Sequence, residues 1–285
     1  MMMLQGTRST AVECIIYTNC QGPKLLSILR KSKKFNQLFR AKAFQNFCNE
    51  VPTDRELEIC NLFIYQELSE KWDNASTNSI IKKLPPDCIC FCIPKFKCEL
   101  FWPFHCRNPF NKQNEGQIHG MFPYGDSKVF DLMTVKNKTP KQLAEEYASL
   151  DLSKIIDFDA LLIKILNYYR EHHNSRDYNF SSVFKVNLSH KHMFRSFNHP
   201  TNTVLLDVAN TILEKFGLEK LKNKSISDLE DLGHDYNVPI HPYIISQFNL
   251  RYSNKKYNVN NKIVTFEKYI ENYIIYALKN KNDND

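Results

Sequence analysis

Glu13-Cys14-Ile15-Ile16-Tyr17-Thr18-Asn19-Cys20-Gln21-Gly22-Pro23 is the stretch from which the fold can be read. Its first half is a short apolar run of strand-forming residues. Its second half is a polar corner that passes at once into helix-like spacing from Pro23. Residues 12–18 are predicted to form a buried strand. Residues 23–39 are predicted to form a helix, with Leu25, Leu26, Ile28, Leu29, Leu38 and Phe39 on one side. Such a unit puts Cys20 at the carboxyl end of a strand, beside a helix N-terminus. The positive end of the helix dipole stabilises a thiolate there, and the unpaired backbone N–H groups suit an anion. The corner predicts a site, but one thiol does not name a reaction.

Working outward, the segments Ala43–Phe47 and Leu62-Phe63-Ile64-Tyr65 read as further strands. Cys88 to Ile93 reads as a buried parallel strand bounded by prolines. Strands alternating with helices indicate an α/β fold, a mainly parallel sheet with flanking helices. Residues 94–127 form a long irregular region rich in proline, of a kind that often carries function. The chain then turns helical. One helix opens at Thr139-Pro140, another covers 155–169, and a third covers 201–216 with Gly217 as its stop. The expected organisation is a single α/β domain over 11–250 with an irregular insert at 94–127. Residues 251–285 should supply a surface loop over 253–262, a terminal helix over 263–280 and a frayed tail.

Composition bounds the function. With 42% hydrophobic and 13% aromatic residues the chain can bury a core, which excludes wholesale disorder. A formal charge of +7 is spread along the sequence without an Arg-rich run. It reads first as a solvated basic surface, with attraction to phosphorylated ligands as the sharper alternative, and nucleic acid is disfavoured as a partner. Met1 to Thr10 is too polar for a signal peptide, and no apolar run is long enough to span a membrane. The expected location is cytoplasmic, with the nine cysteines as reduced thiols. Cys88, Cys90 and Cys92 alternate along one strand face, with Cys98, His105 and Cys106 beyond. No Cys-x-x-Cys pair occurs, so no metal is expected.

Phe197-Asn198-His199-Pro200-Thr201 is the second candidate site. Pro200 suits a first helical position, so His199 is predicted at the helix start, where the dipole keeps the ring neutral as a general base requires. A capping histidine without catalytic role is the alternative. Cys20 and His199 at two helix N-termini can face one crevice at the carboxyl edge of a parallel sheet.

These residues, taken with others in order, resemble the WcbI-type polysaccharide (capsule) biosynthesis family. Tyr17-Thr18-Asn19-Cys20-Gln21-Gly22 resembles its Gly-Asn-Cys-Gln corner, with Thr18 where the family usually has glycine. Ile93-Pro94 through Phe101-Trp102-Pro103 is similar to its Pro…Trp-Pro region, and Phe122-Pro123-Tyr124-Gly125-Asp126 to its Tyr-Gly-Asp stretch. Phe194 to Pro200 resembles its Asn-His-Pro helix entry, and Val238-Pro239-Ile240-His241-Pro242 its late proline-rich element. The five elements cover residues 13–250, in outline also similar to the SGNH-hydrolase arrangement.

The resemblance implies coenzyme A binding and acetyl transfer from acetyl-coenzyme A to a capsular or surface sugar precursor. It makes Cys20 the candidate nucleophile or pocket-lining thiol, and His199 the candidate base toward Cys20 or a sugar hydroxyl. Asn19 and Gln21 become candidate oxyanion donors, and Asn198 a group that orients His199. Gly22, Lys24 and Arg195 are the candidate cofactor-binding residues, Tyr124 and Asp126 the candidate acceptor-side residues. Each has a plainer alternative as a turn, capping or surface residue. Hydrolysis of a thioester or ester by the same Cys/His pair, or a non-catalytic nucleotide-binding scaffold role, are the competing functions. A homo-oligomer is compatible with all of them.

Overall fold

The computed structural model describes residues 11–48, 50–112, 120–171, 178–234, 238–253, 256–259 and 262–282. The polar start Met1–Thr10 and the last residues of the tail, 283–285, lie outside the described residues. Strand β1 (Val12–Thr18) leads into helices α1 (Gln21–Leu29) and α2 (Lys33–Leu38), then strand β2 (Phe39–Gln45). Helix α3 (Asp54–Glu58), strand β3 (Cys60–Tyr65), helix α4 (Thr77–Ile81) and strand β4 (Ile89–Cys92) follow. Short strands β5 (His105–Arg107) and β6 (Tyr124–Asp126) precede helices α5 (Ser127–Met133), α6 (Pro140–Ala148), α7 (Phe158–Glu171) and α8 (Phe180–Asn187). Strands β7 (Phe194–Ser196) and β8 (His199–Pro200) lead to helices α9 (Asn202–Lys215) and α10 (Pro242–Gln247). Strands β9 (Tyr257–Val259) and β10 (Lys262–Val264) and helix α11 (Phe266–Asn282) complete the chain.

The fold is α/β, as the alternating pattern predicts. Strands β1 to β4 form one parallel sheet in the order β2-β1-β3-β4. The order reverses at β1, so the carboxyl ends of β1 and β3 flank the topological switch point, where open α/β sheets bind ligands. Strand β1 is buried continuously from Cys14 to Thr18, as a central strand covered on both faces must be.

Contacts divide the chain into two compact units. The first comprises Met1–Phe96, Tyr169–Phe180 and Pro200–Leu232, and the second comprises Lys97–Tyr168, Ser181–His199 and Gly233–Asp285. In the first unit Ile15, Tyr17, Leu57, Phe63 and Ile80 pack on one sheet face, with Tyr17 and Phe63 stacked at 6.2 Å. In the second, Phe122, Val129, Leu143, Tyr147, Phe266, Ile270 and Ile274 form a core among α5, α6 and α11.

Several local expectations change. The helix expected over 23–39 begins at Gln21 and breaks at Arg30-Lys31-Ser32. Ser32 caps α2 by accepting the Phe35 N–H at 3.3 Å, a local bond that competes with helix continuation. Phe39 opens β2 rather than closing a helix; its ring meets Phe35 at 4.9 Å and Phe216 at 5.0 Å. Strand β4 is parallel but lies at the sheet edge, which leaves Cys90 exposed. Within 94–127, β5 and β6 pair antiparallel, His105 opposite Asp126 and Arg107 opposite Tyr124. Gly125 is required there, because a Cβ would stand 2.7 Å from the Arg107 carbonyl oxygen. The surface segment 253–262 contains β9 and the start of its antiparallel partner β10.

Candidate functional site

The corner after β1 is built by short-range hydrogen bonds. Asn19 Oδ1 accepts the Gln21 N–H at 2.9 Å, and the Gly22 N–H donates to the Asn19 carbonyl at 3.1 Å. These bonds form an Asx-type turn, and Cys20 is the N-cap residue of α1 without a side-chain capping bond. Gly22 lies so close to β1 that a Cβ would meet Thr18 Oγ1 at 2.1 Å. Thr18, the departure from the family corner, is fully buried, and its hydroxyl donates to the Asn19 carbonyl at 3.0 Å. The thiol differs from the expectation of a stabilised thiolate. Burial pushes the Cys20 pKa up, and Cys48 adds to the rise, while a backbone hydrogen bond lowers it by less. Loss of water outweighs that hydrogen bond.

Gln21 is completely buried, and its amide is engaged: Nε2 donates to the Phe96 carbonyl at 3.0 Å, and Oε1 accepts from Gln66 Nε2 at 2.6 Å. Gln66 is the residue that sequence reading missed. It follows β3 directly, is fully buried, accepts the Asn19 N–H at 3.1 Å through Oε1, and donates to the Pro94 carbonyl at 2.8 Å. It thus ties the ends of β1, β3 and β4 together at the switch point. The only sequence signal was a glutamine placed immediately after a predicted strand. Lys95, next to Pro94, was also missed; burial lowers its pKa, against an opposing effect from Glu67. Lys24 lies in the first turn of α1, where its ammonium donates to the Glu230 carbonyl at 2.6 Å.

His199 belongs to the second unit. It does not stand at a helix start. Thr201 is the N-cap of α9, and His199-Pro200 form β8, so the expected dipole effect has no basis here. The two-residue turn Phe197-Asn198 brings Ser196 and His199 opposite one another, and the Cys98 N–H anchors the turn by donating to the Phe197 carbonyl at 2.7 Å. His199 Nδ1 is 3.0 Å from Ser196 Oγ and 3.1 Å from Tyr124 Oη. The Ser196 hydroxyl donates to Tyr124 Oη at 3.0 Å, and the Tyr124 hydroxyl donates to Asn198 Oδ1 at 2.8 Å. Each hydroxyl has one proton, so both oxygens can only accept from Nδ1. The network thereby assigns the proton of the neutral ring to Nδ1 and leaves Nε2 as the basic nitrogen. Asn198 acts on His199 through Tyr124. Arg195 lies half-buried on β7.

Tyr124 also lines a concavity of the second unit, together with Asp126. Asp126 is the N-cap of α5; Oδ1 accepts the Val129 N–H at 2.9 Å, and Oδ2 accepts the Tyr147 hydroxyl at 2.6 Å. Burial raises its pKa to about 6, against the opposing hydrogen bonds from Tyr147 and the α5 backbone. His241 is the N-cap of α10 and lines the same concavity. Its Nδ1 accepts the Tyr243 N–H at 3.1 Å, and its Nε2–H donates to the Tyr147 carbonyl at 2.8 Å.

The nine cysteines are free thiols. Among the described residues no group of three or more His, Cys, Asp or Glu is placed to hold a metal ion. No described helix is long and apolar enough to cross a membrane.

No curated protein shows a significant match to the sequence. Among solved structures, the fold is similar to that of WcbI, a polysaccharide biosynthesis enzyme, in its native form without a disulfide bond between coenzyme A and a cysteine. The TM-score is 0.70 at 18% sequence identity, with 95% of this chain and 91% of that chain covered, a likeness of fold. The profile of the polysaccharide biosynthesis enzyme WcbI matches residues 13–221, well over half of the chain. The chain therefore belongs to the WcbI family of polysaccharide biosynthesis enzymes.

Proposed function

We propose that this protein binds coenzyme A and transfers an acyl group, acetyl in the simplest case, from its thioester to a sugar hydroxyl of a capsular or surface polysaccharide precursor. The observation that carries the reading is the Asn19-Cys20 turn, a thiol held at the switch point of a parallel sheet in a chain of this family. The coenzyme A and cysteine named for the similar WcbI structure support the choice of ligand.

In the transfer, the acceptor oxygen attacks the thioester carbonyl, the new C–O bond forms, and the C–S bond breaks. The hydroxyl proton passes to the base, and the sulfur leaves as thiolate to be reprotonated. His199 is the proposed base, because its Nδ1 contacts make Nε2 the basic nitrogen. Cys20, with its raised thiol pKa, is a weak nucleophile at neutral pH unless a base takes its proton. Its role is accordingly to line the thioester pocket or to act after deprotonation. The Asn19 and Gln21 side chains are the proposed supports of the corner, and the backbone N–H groups beyond Cys20 the proposed oxyanion donors. Lys24, Gly22 and Arg195 are the proposed contacts of coenzyme A, and Tyr124 and Asp126 of the acceptor.

Thermal denaturation with saturating coenzyme A tests the first step. A ligand at about 100 times its Kd stabilises the folded state by roughly 2.7 kcal/mol, a shift of a few degrees. No shift would remove the coenzyme A reading. Coenzyme A release from acetyl-coenzyme A, followed with and without sugar acceptors, tests the second. Full turnover in both Cys20→Ala and His199→Ala would remove the residue assignment. Release without any acceptor would identify hydrolysis, and binding without turnover under any acceptor would identify a scaffold.

A further inference from the structure

The junction of α1 with α2 and the segment after α9 border a cleft of the first unit. Lys31, Lys33 and Lys34 line it from the junction, and Lys220, Lys222 and Lys224 from the segment. Its free space is about 590 Å³, within about 1150 Å³ counted out to solvent. Local bonds fix the backbone on both sides. Asn210 of α9 clamps Leu221: its Oδ1 accepts the Leu221 N–H at 2.7 Å, and its Nδ2 donates to the Leu221 carbonyl at 3.0 Å. Ser32, buried at the junction, caps α2. Lys31 Nζ donates to Asp228 Oδ2 at 2.5 Å and ties junction and segment together.

The charges of this cleft do not cancel. Lys31 is paired with Asp228, and Lys220 with Glu214 at 2.9 Å. Glu219 is the only carboxylate among the described residues that line the cleft. Lys33, Lys34, Lys222 and Lys224 are exposed, and none of them forms an ion pair among the described residues. Four like charges around one cleft repel one another, and an anion between them removes that cost.

Composition narrows the anion. No arginine is among the lining residues, so the cleft lacks a fork for one phosphate or carboxylate. Lysines act as point charges and select charge density. No aromatic side chain lines the cleft, and Leu221 is its only apolar residue. A nucleotide would find no ring on which to stack its base, and a bilayer no apolar group to insert. A bilayer is also flat, whereas these lysines border a cleft. Position separates the cleft from the thiol. Helix α1 leads nine residues, about 14 Å, away from the Cys20 corner before Lys31 to Lys34 follow its far end. The fitting ligand carries negative charges repeated along its length.

We propose that this cleft binds an acidic polysaccharide chain, whose repeated anionic groups meet Lys33, Lys34, Lys222 and Lys224, and so holds the polymer away from the Cys20 corner. The choice of a polysaccharide rests on the acyl-transfer reading in a chain of this family, whereas the excess of positive charge is independent of it.

The test is fluorescence anisotropy of an end-labelled oligogalacturonate of about ten units, titrated with the full-length protein at about 150 mM NaCl, where attraction to scattered surface charges is largely screened. The expected result is saturable binding that is roughly tenfold or more weaker in Lys33→Gln/Lys34→Gln and in Lys222→Gln/Lys224→Gln. Lys136→Gln/Lys141→Gln removes the same charge from the second unit and should bind within about twofold of the parent protein. All six lysines are exposed, so the variants should fold, and circular dichroism confirms it. The proposal is overturned if the chain does not bind at protein concentrations up to about 100 μM. It is also overturned if neutral dextran competes as well as unlabelled oligogalacturonate, or if the second-unit pair weakens binding as much as the cleft pairs. Single-stranded DNA and phosphatidylglycerol vesicles are run in parallel. Lysine-dependent binding of either one without the oligogalacturonate would assign the cleft to that partner and overturn the proposal. The melting-temperature shift with coenzyme A is measured on the same proteins. Chain binding without that shift would leave the cleft standing and remove the acyl-transfer reading, and the shift without chain binding would do the reverse.

Discussion

Ser196 Oγ lies 3.0 Å from His199 Nδ1 across the two-residue turn Phe197-Asn198, in the buried interior of the second unit. Because the Ser196 and Tyr124 hydroxyl protons are directed along the chain toward Asn198 Oδ1, the serine oxygen is available only as an acceptor. Ser196→Ala alone leaves Tyr124 Oη as an acceptor for Nδ1, so both oxygens must be removed to release the ring. Ser196→Ala combined with Tyr124→Phe should let the ring populate the other tautomer. We expect kcat/KM to fall roughly 10–100-fold, about 1.4–2.7 kcal/mol. Two-dimensional NMR on nitrogen-labelled histidine should show the proton leaving Nδ1 in the double variant. An unchanged tautomer there would refute the orienting role.

The raised pKa of Cys20 has a direct kinetic consequence. Above its ordinary value, the thiol holds less thiolate at neutral pH than a free cysteine. Alkylation by iodoacetamide, followed at the Cys20 peptide by mass spectrometry, should be slower than that of exposed Cys48 at pH 7. Its rate should still be climbing at a pH where free cysteine has levelled off. A midpoint below the ordinary value would show that the helix terminus prevails over burial.

Gln66 should be the most sensitive polar residue of the β1 corner. Gln66→Leu removes the partners of the Asn19 N–H, the Pro94 carbonyl and Gln21 Oε1 in a buried setting. Orphaned buried groups cost about 1–3 kcal/mol each, so a loss of roughly 2–4 kcal/mol in urea unfolding is expected. A loss within 0.5 kcal/mol, the ordinary surface range, would show that water replaces the amide.

Gly22→Ala should cost about 1–3 kcal/mol, because the new Cβ collides with Thr18 Oγ1. The cost is specific to that neighbour. Adding Thr18→Ala should recover most of it, and a double-mutant cycle should give a coupling of opposite sign to the Gly22→Ala penalty. Additive penalties would mean that Ile16, 3.2 Å from the same Cβ, sets the limit.

Asp126 makes stability depend on pH in a defined window. Its pKa is about 6 in the folded state and near 4 when unfolded, so between these values the folded state binds more protons. Unfolding free energy attributable to this group therefore falls as pH rises from about 4 to 6, by roughly 3 kcal/mol in the limit. Asp126→Asn should flatten that part of the stability profile in urea titrations. An unchanged slope would show that the carboxyl titrates at its ordinary value.

The strand-corner-helix reading of residues 13–23 was sufficient for the fold class, because continuous burial of a parallel strand leaves an apolar run that needs no partner to be seen. Five spaced elements were sufficient for the family, and Thr139-Pro140 and Gly217 marked helix ends through purely local chemistry. Strand β2 was misplaced, since Arg40, Ala41 and Lys42 have no strand preference of their own and take that form through pairing with β1. His199 was found as a residue but put in the wrong setting. A proline can open a helix or sit in a bridge, and Thr201 as the cap decided between them. Ser196 carries no sequence signal and Gln66 only its place after a predicted strand, because their importance lies in which backbone and ring atoms come within about 3 Å of them. The Asn19-Cys20-Gln21 corner itself was visible in the chain, but its thiol chemistry was not: local sequence supplies the helix terminus, and only tertiary packing supplies the burial that raises the pKa.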